Sequence, residues 1–177
     1  MAFNLALGFS SGQIRTLLSY PIGRGRLILV RSGLIFVLVS VSVTSGSLFS
    51  LAFFFPLFID LIPLCLLTVT LWITVFLMTS ACVLIAVVSK SAPVTAAAGL
   101  GVWGGGFVLF TETSTPSFLR TVLFPVFAAI RHTTAGLPFS SLPAVSLTDV
   151  LVGSGIALVL GILLLYLGFI VFRKTEA

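Results

Sequence analysis

The sequence predicts an all-α, polytopic membrane helix bundle. It should have four spanning helices, an N-terminal amphipathic helix and an outer re-entrant or interfacial segment with room for a fifth span. Three observations predict it. Of 177 residues, 59% are hydrophobic and only 7% charged, whereas a soluble domain carries about a quarter charged residues. So little charge cannot coat a globule in water, which sets aside soluble enzymes, nucleic-acid binders and disordered chains. Four apolar runs then match the roughly 20 residues a helix needs to cross a hydrocarbon core about 30 Å thick. Finally, the nine Lys and Arg residues behind the net charge of +5 stand mostly at the ends of those runs. That pattern reports topology, not nucleic-acid binding.

The elements follow in order. Ile14, Leu17 and Leu18 fall at i, i+3 and i+4 and give a short helix one apolar face, with Gln13, Arg15, Thr16 and Ser19 facing elsewhere. Pro21 disfavours helical geometry at Tyr20, so this helix should stop there. Arg24 and Arg31, seven residues apart, could share a face at lipid headgroups. The first span covers 33–57, with no charge until Asp60; the second covers 62–88, between Pro63 and Ser89-Lys90; the third covers 92–110. Residues 111–147 differ, with Pro116, Pro125, Pro138 and Pro143 among them. Their apolar piece from Ser117 to Ile130 is too short to cross and is interrupted by Arg120 and Pro125, as expected for a pair of short helices. The last span, 149–171, ends in Phe172-Arg173-Lys174. One transmembrane domain over 1–177 results: an amphipathic segment 1–26, three spans within 27–110, an outer segment 111–147, and the last span with its tail, 148–177.

With four spans, Arg15, Arg24, Arg26, Arg31, Lys90, Arg173 and Lys174 share one side, which the positive-inside rule makes cytoplasmic together with both termini. The first nine residues lack a basic leader and a cleavage site, so no secretory signal is expected. Small residues recur at i, i+4 and i+8 in three spans: Ser42, Gly46, Ser50; Ala97, Gly101, Gly105; and Gly153, Ala157, Gly161. In lipid such stripes let helices approach closely, within a bundle or between two copies. Ser146-Leu-Thr-Asp149 has capping-box spacing, so Asp149 reads as a helix cap. Cys65 and Cys82 read as core residues, and lone His132 as solvated or interfacial. The hydroxyls of Thr68, Thr70, Thr74, Thr79 and Ser80 should bond to carbonyls one turn back.

The order Gly12-Gln-Ile14-Arg-Thr-Leu17-Leu18-Ser19-Tyr-Pro21-Ile22-Gly-Arg24, followed by Leu27-Ile28 and Arg31, resembles the ABC-2 type transporter permeases. In that family a Gly-Thr-Leu/Ile-x-x-Leu-Leu-Ser/Thr-x-Pro-Ile/Val-Ser-Arg stretch forms the cytoplasmic coupling helix. The likeness continues through the Ser89-Lys90 turn, the proline-bearing segment at Phe124-Pro125 and the terminal Phe172-Arg173-Lys174. Phe9, Ser10 and Ser11 stand where the family usually has an acid, and the family's usual first transmembrane helix would fall upstream of Met1, as expected for a late-assigned start or a shortened relative. The resemblance implies a permease subunit in the cell membrane, an exporter working by alternating access. ATP and Mg would bind a separate ABC ATPase subunit, and a second permease copy or another permease would complete the pore. It also implies that Ile14, Arg15, Leu17, Leu18, Pro21 and Arg24 form the ATPase-coupling interface.

From location alone, Phe124, Pro125, Phe127 and Arg131 are candidates for an outer gate. No phosphate-binding loop precedes Lys90-Ser91, so neither cofactor nor catalysis is expected on this chain. An ion-coupled carrier would use ionisable groups inside the membrane, and none lies between Arg31 and Asp60 or between Asp60 and Lys90. A zinc enzyme would need more ligands than His132 can gather from Glu112 and Asp149. The remaining alternative is an accessory or structural membrane subunit of the same complex, without a pathway of its own.

Overall fold

A computed structural model describes residues 24–54, 61–111, 117–134 and 145–175. Every element among them is a helix: α1 Arg24–Phe54, α2 Leu61–Ser89, α3 Ala92–Thr111, α4 Ser117–Leu123, α5 Pro125–Thr134 and α6 Leu147–Thr175. Four of these fall on the four apolar runs, and α4 and α5 fall on the expected pair of short helices. Two stretches, Ile62–Ser89 and Leu147–Lys174, are long and apolar enough to cross a membrane, whereas Ser32–Gly46 and Ala92–Val102 are shorter apolar stretches. α1 begins nearer the N-terminus than the expected first span, so Arg24 and Arg26 open the helix that continues through that run. The reason is local. No proline lies between Pro21 and Pro56 to interrupt it, and α1 ends just before the latter.

The chain forms two compact units. The first comprises Met1–Val37, Phe76–Gly105 and Leu160–Ala177; the second comprises Leu38–Val75 and Gly106–Val159. Seven of the nine Lys and Arg residues belong to the first, and three of the four Asp and Glu residues to the second.

In the first unit the later half of α2 is the common partner. Val83, Ala86 and Val87 cluster with Ala92 of α3 and Phe172 of α6, and Leu165 and Val171 pack against them. Phe36 of α1 meets Phe76 edge-on, with ring centroids 5.7 Å apart. A Cβ placed on Gly161 would lie 3.4 Å from the Leu77 Cα, and one on Gly168 would lie 3.6 Å from the Leu84 Cα. Seven residues along α6 thus match seven along α2, so the two helices run parallel and in step. Between α2 and α3 the chain reverses over Ser89-Lys90-Ser91. Lys90 takes a left-handed conformation, with φ 52°, and its N–H closes the helix on the Ala86 carbonyl at 3.0 Å. The Ser89 hydroxyl then accepts the Ser91 N–H at 3.4 Å.

In the second unit the earlier half of α2 plays the same part. Leu66 and Leu67 pack against Ala128 and Ala129 of α5, Val150 of α6 and Val145. The Trp72 indole N–H donates to the Thr44 hydroxyl of α1 at 2.7 Å. The break between α4 and α5 falls at Phe124, because Pro125 disfavours helical geometry there yet suits the first position of a new helix. A helix start leaves N–H groups without partners, and here each is accounted for. Pro125 has none to satisfy. Phe127 and Ala128 donate to the Phe124 carbonyl at 3.0 and 3.4 Å, and Val126 donates to the Thr74 hydroxyl at 3.2 Å. That hydroxyl in turn donates to the Thr70 carbonyl at 2.8 Å. Thr74 is only 1% exposed, so no water can replace it.

Thr74→Val keeps the shape and removes the acceptor. Denaturation of the purified protein should show a loss of about 1–3 kcal/mol, the cost of a buried N–H left without a partner. Thr74→Ser should recover most of it.

Candidate functional site

The described helices expose many large apolar side chains and bury several polar ones beside their apolar core. Ser32, Ser40, Thr70, Thr74, Ser80, Thr95, Thr121, Ser154 and Arg131 are buried. Val30, Leu34, Val37 and Val41 form an exposed stripe at helical spacing along α1; Leu151, Leu158, Ile162 and Tyr166 form another along α6. Each of these eight side chains is at least 42% exposed. Monomers in water rarely show contiguous apolar patches beyond a few hundred Å². Most buried hydroxyls meet their own helix. Thr70 donates to Leu66, Ser80 to Phe76 and Ser154 to Val150, at 2.8, 2.8 and 2.6 Å. Thr68 does the same with Leu64 at 2.8 Å, as its spacing predicted. Ser32 and Ser40 differ: both are buried on α1 with hydroxyls that meet no partner.

Of the coupling residues, Ile14, Arg15, Leu17, Leu18 and Pro21 lie outside the described residues, and Arg24 is the first residue of α1. The outer-gate candidates are brought together around the start of α5. Phe124 and Pro125 are buried, Phe127 is half-buried with its ring 5.7 Å from that of Phe124, and Arg131 is 7% exposed. Phe124 and Pro125 are interior residues, because the helix break they form is held against Thr74, which satisfies Val126. His132, read as solvated or interfacial, is half-buried, and its Nδ1–H donates to the Val145 carbonyl at 2.9 Å, tying α5 to the approach of α6. Cys65, expected in the core, is exposed, and Cys82 is half-buried. Asp149 caps α6 as expected: its N–H donates to the Ser146 hydroxyl at 3.1 Å, and that hydroxyl donates to its carboxylate at 2.7 Å.

The three small-residue stripes separate. On α6, Ala157 is fully buried, and a Cβ on Gly153 would lie 2.8 Å from the Thr121 carbonyl oxygen. On Gly161 it would lie 2.7 Å from the Phe76 ring. Gly46, Gly101 and Gly105 have nothing within 4 Å of such a Cβ. The cause on α3 is rotational. The helix buries Ala92 and Thr95, with Gly99 next to Cys82, and Ala97, Gly101 and Gly105 stand exposed. Two contacts had no sequence signal, since Thr74–Val126 and Trp72–Thr44 join positions 52 and 28 residues apart. Among the described residues no three His, Cys, Asp or Glu side chains gather as a metal site. The chain matches no known family model, no curated protein and no solved structure.

Gly153→Ala would press a methyl group against the Thr121 backbone and should destabilise by about 1–3 kcal/mol. Gly101→Ala and Gly105→Ala meet open space and should gain up to about 1 kcal/mol of helix propensity. Unfolding of the three variants in one detergent measures the contrast.

Proposed function

We propose that the chain is the membrane-spanning permease subunit of an ATP-driven ABC transporter, exporting its substrate by alternating access while a separate ATPase subunit hydrolyses ATP. The observation that carries the transporter assignment is the residue order from Gly12 to Arg24, which resembles the coupling helix of ABC-2 permeases. The bilayer assignment is supported by the exposed apolar stripes of α1 and α6 and the hydroxyls buried behind them. Trp72 adds to it: 45% exposed, its N–H is satisfied by Thr44 and needs no water. The gathering of seven basic residues in one unit accords with a cytoplasmic side that holds both termini.

Moving a two-state permease from 1:99 to 99:1 takes about 5.5 kcal/mol. Burying leucine-sized side chains contributes about 1.5–3 kcal/mol each, so Ile14, Leu17 and Leu18 together can carry that load. An exposed arginine pair, at about 0–1 kcal/mol, cannot.

Two measurements test the two parts. In the Trp103→Phe variant, reconstituted with lipids brominated on their acyl chains, Trp72 fluorescence should be strongly quenched; unquenched emission overturns the bilayer assignment. After co-expression with an ABC ATPase, the paired change Leu17→Asp and Leu18→Asp should weaken the complex by about a hundredfold or more. Transport should be lost with it. Unchanged co-purification and transport would remove the coupling role.

A further inference from the structure

Three exposed cations of the first unit, Lys90, Arg173 and Lys174, have no place in the permease mechanism above. The parallel register of α6 and α2 sets their level. Gly161 meets Leu77, and Gly168 meets Leu84. Carried one to two turns further, that register brings Lys174 level with Ser89 and Lys90, where α2 ends. Both sides of this junction are held in place. The Lys90 backbone is closed onto Ala86, and Phe172, 1% exposed, is packed in the cluster that holds Val87 and Ala92. All three cations are solvent-exposed. Asp60, Glu112 and Asp149 belong to the other unit, and the one acid of this unit, Glu176, lies outside the described residues.

We propose that Lys90, Arg173 and Lys174 together bind the headgroup of an anionic phospholipid; the proposal rests on the bilayer assignment above. What distinguishes a lipid from an acidic protein is the surface next to the cations. Tyr166 and Leu167, 60% and 48% exposed, each stand seven residues before Arg173 and Lys174, on the same faces of α6. Val88, 63% exposed, is two residues before Lys90. An acidic protein would bring charge to the cations and leave this apolar surface against its own polar groups. A phospholipid matches both, with its phosphate at the cations and its acyl chains along α6. Arginine and lysine suit this level because their stems lie along apolar surface while their charges stay at the headgroups.

A basic side chain at an anionic membrane surface favours binding by about fivefold, so three together permit a preference on the order of tenfold or more even when imperfectly placed. The test uses the full chain reconstituted in phosphatidylcholine bilayers with a minority of phosphatidylglycerol. Spin-labelled versions of the two lipids report how strongly each associates with the protein. We expect about a tenfold preference for phosphatidylglycerol in the unaltered protein. It should fall to about twofold or less in Lys90→Gln/Arg173→Gln/Lys174→Gln and in salt near 1 M, where the screening length is about 3 Å. It should persist in the charge-conserving Lys90→Arg/Arg173→Lys/Lys174→Arg protein, which separates loss of charge from loss of fold. An equal preference in the glutamine variant overturns the proposal. So does the absence of any preference, including the case in which the three cations prove to hold an acidic protein. Trp72 quenching in the same samples keeps the two levels apart: quenching without lipid preference removes only the headgroup site, and no quenching removes the bilayer assignment beneath it.

Discussion

The hydroxyl of Thr74 accepts the N–H of Val126, and how the chain passes from α4 to α5 depends on that bond. Pro125 forces a break, a break exposes the first N–H groups of a new helix, and a buried N–H must find a partner inside the chain. α2 supplies it from a side chain that is itself anchored on the Thr70 carbonyl. Around this joint Leu66 and Leu67 of α2 pack against Ala128 and Ala129, and His132 fastens the far end of α5 to Val145. The residues singled out for an outer gate are therefore parts of a capped, packed joint. Any movement there has to carry α5 with its cap or exchange that cap for another acceptor.

α2 has this central role in both units, and its composition explains why. Its hydroxyls at Thr70, Thr74 and Ser80 can be buried, and that of Thr68 half-buried, because each is satisfied by its own helix one turn back. α6 does the opposite work. It presents Gly153, Ala157 and Gly161 to its neighbours and a long apolar stripe away from them. Close approach on one side and exposed leucine, isoleucine and tyrosine on the other is a sensible division where the surroundings are as apolar as the side chains, since packing and not burial then holds helices together. Under the proposed function the same economy of charge has a mechanical meaning. With no Asp, Glu, Lys, Arg or His between Arg31 and Asp60 or between Asp60 and Lys90, the work of transport in that proposal enters from a partner.

Much of the fold was legible because it depends on local rules. Proline placed the break at Phe124; Ser146 and Asp149 placed the start of α6; the apolar runs placed the long helices, although α1 ends at Phe54, short of the expected 57. The small-residue stripes were legible as patterns but not as contacts. Identical spacing on α3 and α6 gave an exposed stripe in one case and a tight seam in the other, because rotation about the helix axis is set by which neighbour it meets. Cys65 went astray for a related reason. Apolar character does not say which face of a helix meets a neighbour, and the packing of α2 leaves Cys65 on an exposed face.

By itself, then, the sequence determined which of the described segments are helical, where the chain breaks before Pro125, where α6 starts, and that its basic residues gather at the ends of the apolar runs. These follow from backbone geometry and from composition, which act over a few residues. The tertiary structure decided which stripe is buried, which hydroxyl caps a distant helix, and that Lys90 lies level with Lys174. Those relations join residues separated along the chain by 28, 52 and 84 positions, over which no local preference acts, and only packing can bring them together.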